Sequence, residues 1–233
     1  MTGGCVRIAT WNVRKAIGRD LRRNPGRVLR AISALEADAV ALQEADLRFA
    51  GRTAIFAPEE IERATGLVPI RFDGAHVGLG WHGNVLLVRS DAEVGDRCIH
   101  HLPGLEPRGA IEAEVTVRGL HLRLVAAHLA LLAPFRLRQA TRLAGRIEAD
   151  RTTLVMGDFN AWRAEPTSLR PISDKLRLVP TGNSFPASRP VAHLDRIYRS
   201  QHLEVARQGI PRDGPTATAS DHLPVWVDVQ APS

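Results

Sequence analysis

Residues 154–162 read LVMGDFNAW. The stretch opens as an apolar strand and then sets Asp158 and Asn160, two oxygen donors two residues apart, where the apolar run ends. In an extended segment residues i and i+2 point the same way, so both polar tips can reach one spot. Other strand-like runs lie at Val6 to Trp11, Ala39 to Leu42, Val85 to Val88, Ile111 to Val117, Leu120 to Ala127, Leu194 to Tyr198 and Leu223 to Val229. Several close in the same manner. The first runs into Asn12, the second into Glu44 and a middle one into His128, while Asp221 and His222 precede the last. A polar residue past a single strand is ordinarily a turn former or a helix cap. Repeated across five elements, always as Asn, Glu, Asp or His, such endings describe a site, because the ends of adjacent strands converge on one edge of a sheet.

Between the strands, helical spacing recurs. Asn24 as N-cap and Pro25 in the first turn introduce Val28, Leu29, Ile32 and Leu35 on one face. From Pro134 a second helix carries Ala140, Leu143, Ala144 and Ile147 as its apolar stripe, with Arg138, Arg142 and Arg146 along one side, where they are read as a solvated face before a phosphate contact. The early β-α-β order implies parallel pairing, and VTVRGLHLRLV has the Arg-Gly break of an antiparallel hairpin. A mixed α/β chain follows. The segment from Pro166 to Pro190 reads as a long surface loop, and no internal repeat or dividing linker is visible.

The chain has 233 residues, 44% hydrophobic and 24% charged, which suits a globular protein with a sizeable core, read here as one domain over 1–233. No apolar run approaches the roughly 20 residues of a membrane span, so no integral membrane association is expected. The amino terminus has no secretory pattern, which makes the cytoplasm the default, and a monomer is expected. Cys5 and Cys98 are expected to be buried thiols. The net charge of +6 suits a polyanionic partner, although the basic residues are nearly all arginine, with only Lys15 and Lys175 as lysines.

Hard oxygen donors without cysteine suit Mg²⁺, with Mn²⁺ as the alternative, and disfavour zinc. A carboxylate metal site beside two histidines is equipment for phosphoester hydrolysis: the metal neutralises phosphoryl oxygens, a base activates water and an acid supports the leaving group. Neither a GxSxG nor a GxxxxGK[ST] pattern occurs to compete.

TWNVR, LQEAD, HGNVLLVRS, AAHL, VMGDFNA, LDRIY and SDHLPV resemble, in order, the motifs of the endonuclease/exonuclease/phosphatase (deoxyribonuclease I-like, exonuclease III-like) superfamily over Ile8 to Val229. The resemblance implies a four-layer α-β-β-α sandwich, two mixed β-sheets packed face to face, with the active site at one rim. It also implies roles. Glu44 would hold Mg²⁺ with Asn12 beside it and Asp221 nearby. Asp158 and Asn160 would position the attacking water and the scissile phosphate, and His222, oriented by Asp195, would stabilise the transition state. His128 would serve as general acid. Arg14, two residues after Asn12 as in the deoxyribonuclease I branch, would contact substrate, and abasic-site specialisation is disfavoured because that branch carries an aspartate there. Arg108 resembles a phosphate-contacting arginine of the family, with a surface charge at a strand entrance as an equally good reading. His82 and Asn84 fall near the position where secreted nucleases carry a glutamate partner for the residue matching His128; there is no acid at His82, and Asn84 is kept as a substrate-binding candidate. His100 and His101 read as surface histidines. Trp11, Trp81 and Trp226 read as packing, and Trp162 as a substrate contact.

A Mg²⁺-dependent phosphodiester hydrolase acting on nucleic acid, DNA or RNA, is the first expectation. A phospholipid or small-molecule phosphodiesterase or phosphatase is the alternative, against which stands the expectation that no exposed apolar docking segment is present. A third reading, a binding module that has lost its chemistry, is disfavoured because Asn12, Glu44, Asp158, Asn160, Asp195, Asp221 and His222 are all present.

Overall fold

Strand β1 (Val6–Asn12) buries Val6 and Ile8 on one face and Ala9 and Trp11 on the other, as a strand covered on both sides must. The computed structural model to which it belongs describes residues 5–47, 53–73 and 78–231. Helix α1 (Pro25–Ala34) follows, with Asn24 Oδ1 accepting the Arg27 N–H at 3.0 Å as its cap. It delivers the chain to β2 (Ala39–Gln43), parallel to β1. A small ribbon of β3 (Asp46–Leu47) and β4 (Thr53–Ala54), helix α2 (Pro58–Thr65) and strands β5 (Leu67–Pro69) and β6 (Val85–Arg89) complete the first half. The second half comprises β7 (Glu93–Leu102), β8 (Arg108–Val117), β9 (Leu120–His128), α3 (Ala133–Ala144), β10 (Thr153–Asp158), α4 (Arg170–Ser173), β11 (Arg177–Leu178) and β12 (Asp195–Arg199). Strand β13 (Glu204–Gly209), α5 (Thr216–Ala219) and β14 (Val225–Gln230) return to the first sheet. Among the described residues no helix is long and apolar enough to cross a membrane.

Two six-stranded sheets result, ordered β13-β14-β1-β2-β6-β5 and β11-β12-β10-β9-β8-β7. Their inner faces share one core, built from Ile8, Ala41, Leu86, Leu124, Met156, Ile197 and Val227 among others. The outer face of the first sheet packs under α1 and α2 through Trp11, Leu29, Ile32 and Ile61. That of the second packs against α3 and α4 through Val155, Leu143, Phe159 and Ile172. The expected four-layer sandwich is present.

Each sheet contains one parallel pairing, β1 with β2 and β9 with β10, flanked by antiparallel ones. The segments β1-α1-β2-β5-β6 and β9-α3-β10-β11-β12 occupy equivalent places in the two sheets. The chain therefore has a structural repeat that its sequence does not display. Other expectations need correction. Cys5 and Cys98 are exposed, Cys98 because β7 is an edge strand with its first six residues open to solvent. The segment from Pro166 to Pro190 is not only loop: a 3-10 turn, α4 and β11 sink Leu169, Ile172, Leu176 and Val179 into the protein. His100 is buried and pairs through Nε2 with Glu112 at 2.8 Å on the neighbouring strand; His101 is exposed.

Candidate active site

The alternation that fills the space between the sheets also brings polar side chains to its rim. Ile8, Leu124, Met156 and Ile197 all face that space. Counting by twos along the same strands reaches Asn12, His128, Asp158 and Asp195, so these four leave the core on its inner side. In the second sheet Asp158 lies between two partners in register, His128 on β9 and Asp195 on β12. The first sheet supplies Asn12 at the end of β1, Glu44 just past β2, and Asp221 with His222 just before β14.

Two hydrogen bonds join the rims. Asn12 Nδ2 donates to Asp158 Oδ2 at 2.9 Å, and His222 Nδ1 donates to Asp195 Oδ2 at 2.8 Å. His128 Nε2 lies 3.4 Å and His222 Nε2 3.9 Å from the same Asp158 Oδ2. Asp158 Oδ1 accepts the Asn160 N–H at 3.0 Å, in the manner of an Asx-turn, and Asn160 Nδ2 donates to Leu129 O at 2.9 Å. Ser184 Oγ donates to Asp195 Oδ2, and Ser220 Oγ donates to Asn12 O at 2.7 Å. Trp11 Nε1 donates to the backbone oxygen of His222 at 2.8 Å. The sites of six separate elements are thus fixed to one another.

Burial by itself would push the His222 imidazole down; the Asp195 carboxylate outweighs it, with Asp158 and Asp221 assisting, and holds the group up at about 10. Asp158 is displaced upward, first by burial and then by Asp195, while the His222 charge and the Asn12 hydrogen bond pull the other way. Glu44 is held below its ordinary range: burial opposes this, but the Lys15 ammonium, Asn12 and the more distant Arg108 prevail.

Ligand-type atoms of Asp158, Asp195 and His222 lie within 4.8 Å of one another. That trio is a poor cage for a metal, since an imidazolium has no lone pair and Asp195 Oδ2 is already engaged by His222 and Ser184. The oxygen donors on the other side of the rim fit a hard cation better. Glu44, left-handed at φ 53, already carries the Lys15 ammonium. Asn12 is within hydrogen-bonding reach of it, and Asn12 Oδ1 faces the Arg14 N–H at 3.0 Å. Asp221 Oδ2 pairs with Arg14 Nε at 3.2 Å. Carboxylate and amide oxygens without sulfur are the donor set of Mg²⁺ or Mn²⁺.

The remaining candidates separate. Arg108 is buried and pairs with Glu106 at 3.0 Å, its charge felt at Glu44, so the surface-charge reading fails. Asn84 lies behind the rim: it is fully buried and donates its amide hydrogens to Trp81 O and Gly109 O, so it fixes the entrance of β8 beside Arg108 instead of meeting a substrate directly. Trp162 is 59% exposed and joins the site through Phe185, whose ring stands 5.6 Å from it and 4.7 Å from His222. Sequence reasoning passed over Lys15, Ser184, Phe185 and Ser220. Only Lys15 carried a signal, as one of two lysines in an arginine-rich chain.

The profile of the Endonuclease/Exonuclease/phosphatase family matches residues 9–222. The chain belongs to that family. An endonuclease/exonuclease/phosphatase from Beutenbergia cavernae has the same fold, with a TM-score of 0.76 at 21% identity over 99% of this chain and 72% of its own. A mannosyl-6-phosphatase of Bacteroides thetaiotaomicron superposes with a TM-score of 0.75 at 17% identity, covering 97% of this chain and 99% of its own. TDP2 of D. rerio, complexed with a single-strand DNA product, gives 0.74 at 17% identity with the same coverage. No curated protein matches the sequence. Members of the family are hydrolases of phosphoester bonds, which leaves the substrate unnamed.

Proposed function

We propose that this protein is a divalent-metal-dependent phosphodiester hydrolase. The observation that carries the reading is the closure of the two sheets through the Asn12–Asp158 and His222–Asp195 bonds, which sets a buried carboxylate, a charged imidazole, a second histidine and a group of oxygen donors around one rim. Glu44, with Asn12 and Asp221 beside it, would hold the cation. When bound, a divalent cation neutralises phosphoryl oxygens and lowers the pKa of water. Asp158, kept by burial closer to neutral titration than an ordinary aspartate, accepts the proton of the attacking water. Asn160, its backbone folded onto Asp158 Oδ1, keeps that carboxylate aligned. His222, kept protonated by Asp195, donates through Nε2 to a phosphoryl oxygen as charge accumulates there. His128 donates the proton to the leaving oxygen, and Arg14 and Arg108 contact the phosphate.

Turnover of bis-p-nitrophenyl phosphate with Mg²⁺ tests this directly. Glu44→Ala and His222→Ala should each lower kcat by about 10²-fold or more. Wild-type rates in both variants would remove the site. Net charge suits any polyanionic surface, a polynucleotide or an anionic bilayer alike.

A further inference from the structure

Three loops border the site beside His128, Asn160 and Arg108, and all three present large apolar side chains to solvent. Leu105, between β7 and β8, is 80% exposed; Leu131 and Leu132, ahead of α3, are 60% and 58% exposed; Trp162 follows Asn160. Isolated exposed leucines are ordinary, but four large apolar groups gathered at one rim are not. They come from three separate loops, not from one continuous exposed apolar stretch of sequence.

The loops are not slack. Buried Arg136 donates through Nη1 to the carbonyl oxygens of Ala130, Leu131 and Asn160 at 3.0, 2.8 and 2.8 Å, which ties the leucine loop to the tryptophan loop. Gln139, also buried, donates to Pro103 O and accepts the Ala130 N–H, which ties in the Leu105 loop. Arg196, with no exposed surface, donates to the carbonyl oxygens of Ala161, Arg163 and Ala164 at 3.0, 2.8 and 3.1 Å. Interior side chains thus satisfy backbone acceptors in the loops that carry Leu131, Leu132 and Trp162. These acceptors need no water, which lowers the cost of bringing the loops to a lipid interface.

We propose that these loops are a docking surface for an anionic lipid bilayer, so that the active site works on phosphodiesters presented at a membrane. The proposal rests on the hydrolase reading above and names the setting of its substrate. Aliphatic leucines with one tryptophan suit insertion at the headgroup boundary, where indole is favoured. A single-stranded polynucleotide asks instead for several aromatic platforms, and only Trp162 is available on these loops. Exposed charge on these loops and the first turns of α3 is on balance basic, Arg138 and Arg163 against Glu165, because Glu106 is paired with Arg108. That balance complements anionic headgroups.

The whole chain is sedimented with vesicles of phosphatidylcholine and phosphatidylglycerol in equal parts, and with pure phosphatidylcholine. Wild type should pellet with the mixed vesicles and bind the neutral ones more weakly, and Trp162 emission should shift to the blue, a change missing in Trp162→Phe. The double variant Leu131→Ser with Leu132→Ser should bind the mixed vesicles about tenfold more weakly or worse, with bis-p-nitrophenyl phosphate turnover as in wild type. Wild type left in the supernatant with both vesicles, or a double variant that binds as well as wild type, overturns the proposal. Binding of a single-stranded oligonucleotide, unchanged by the leucine substitutions and without vesicle binding, assigns the surface to polynucleotide and overturns it too. Absence of soluble-diester turnover in wild type would sink the hydrolase reading alone, since sedimentation reports on docking independently.

Discussion

The charge on His222 depends mainly on one neighbour. Asp195 overcomes the burial penalty and sits 2.8 Å from Nδ1. Asp195→Asn keeps the shape and an acceptor while removing the counter-charge, so the imidazole pKa should fall from about 10 and the alkaline limb of the pH–rate profile should move to lower pH. Ring chemical shifts followed by NMR read the titration, and an unshifted curve would detach His222 from Asp195. Lys15 offers a second test. Its ammonium rests on the Glu44 carboxylate, where a divalent ion would have to displace it. Lys15→Met should tighten Mg²⁺ or Mn²⁺ binding a few-fold, the worth of a partly exposed ion pair of about 0.5–1 kcal/mol, by calorimetric titration. Weaker binding would instead make Lys15 part of the anion-binding surface. Both tests concern single contacts that no residue spacing reveals, because the partners come from segments far apart in the chain.

At the scale of the element, the parallel pair β9–β10 carries the densest part of the site, and one glycine makes it possible. Gly157 has φ 146, and a Cβ there would lie 1.8 Å from Ala127 O on the neighbouring strand. Gly157→Ala must push the two strands apart one residue before Asp158 and His128. The expected cost is on the order of 3 kcal/mol or more, read as a lower urea midpoint; a loss under about 0.5 kcal/mol would show that the pair yields without strain. The strands that bear the site were legible because, buried on both faces, they read as apolar runs that end abruptly on Asn12, His128 and Asp158, in phase with the inner-core residues Ile8, Ala126 and Met156. Strand β7 was not, since residues 93–98 face solvent and show no alternation of apolar and polar types. Helix α2 escaped for a related reason, with Ile61 its one buried residue. The loops around the rim read as ordinary turns because their order comes from Arg136, Gln139 and Arg196, polar residues whose burial is decided by carbonyls elsewhere in the chain.

Across the whole molecule, the site's location follows from the repeat: equivalent β-α-β units in the two sheets bring the ends of their parallel strands to one rim, with Asn12 and His128 in corresponding places. Packing that many ionisable groups inside gives the protein a defined stability profile. His193 is pushed down to about 4, first by burial and then by Arg196. Between pH 6.5 and 4 the unfolded chain therefore binds its proton while the folded one resists it, and the His193 contribution falls as acid is added. Glu112 is opposed by burial yet held at about 2 by His100 and Arg123. Its contribution is complete above 4.5 and fades toward 2, a total on the order of 3 kcal/mol at ~1.4 kcal/mol per pH unit. His222 acts on the other side. Its pKa is raised, so its contribution is complete below 6.5 and disappears as pH rises through about 10. Asp158, raised to about 6 first by burial, opposes His193: its contribution is complete below 3.8 and lost as pH rises through 6. In metal-free protein the acid loss is therefore concentrated below 4.5, where Glu112 is protonated, and the alkaline loss above 6.5, where His222 gives up its proton. Urea unfolding across the pH range in the presence of a chelator checks this: His193→Gln should leave Asp158 unopposed, so that stability rises as acid is added between about 6 and 4, with the alkaline limb intact, while His222→Gln should flatten the alkaline limb. A slope between 6 and 4 that His193→Gln leaves unchanged would show that His193 does not titrate there.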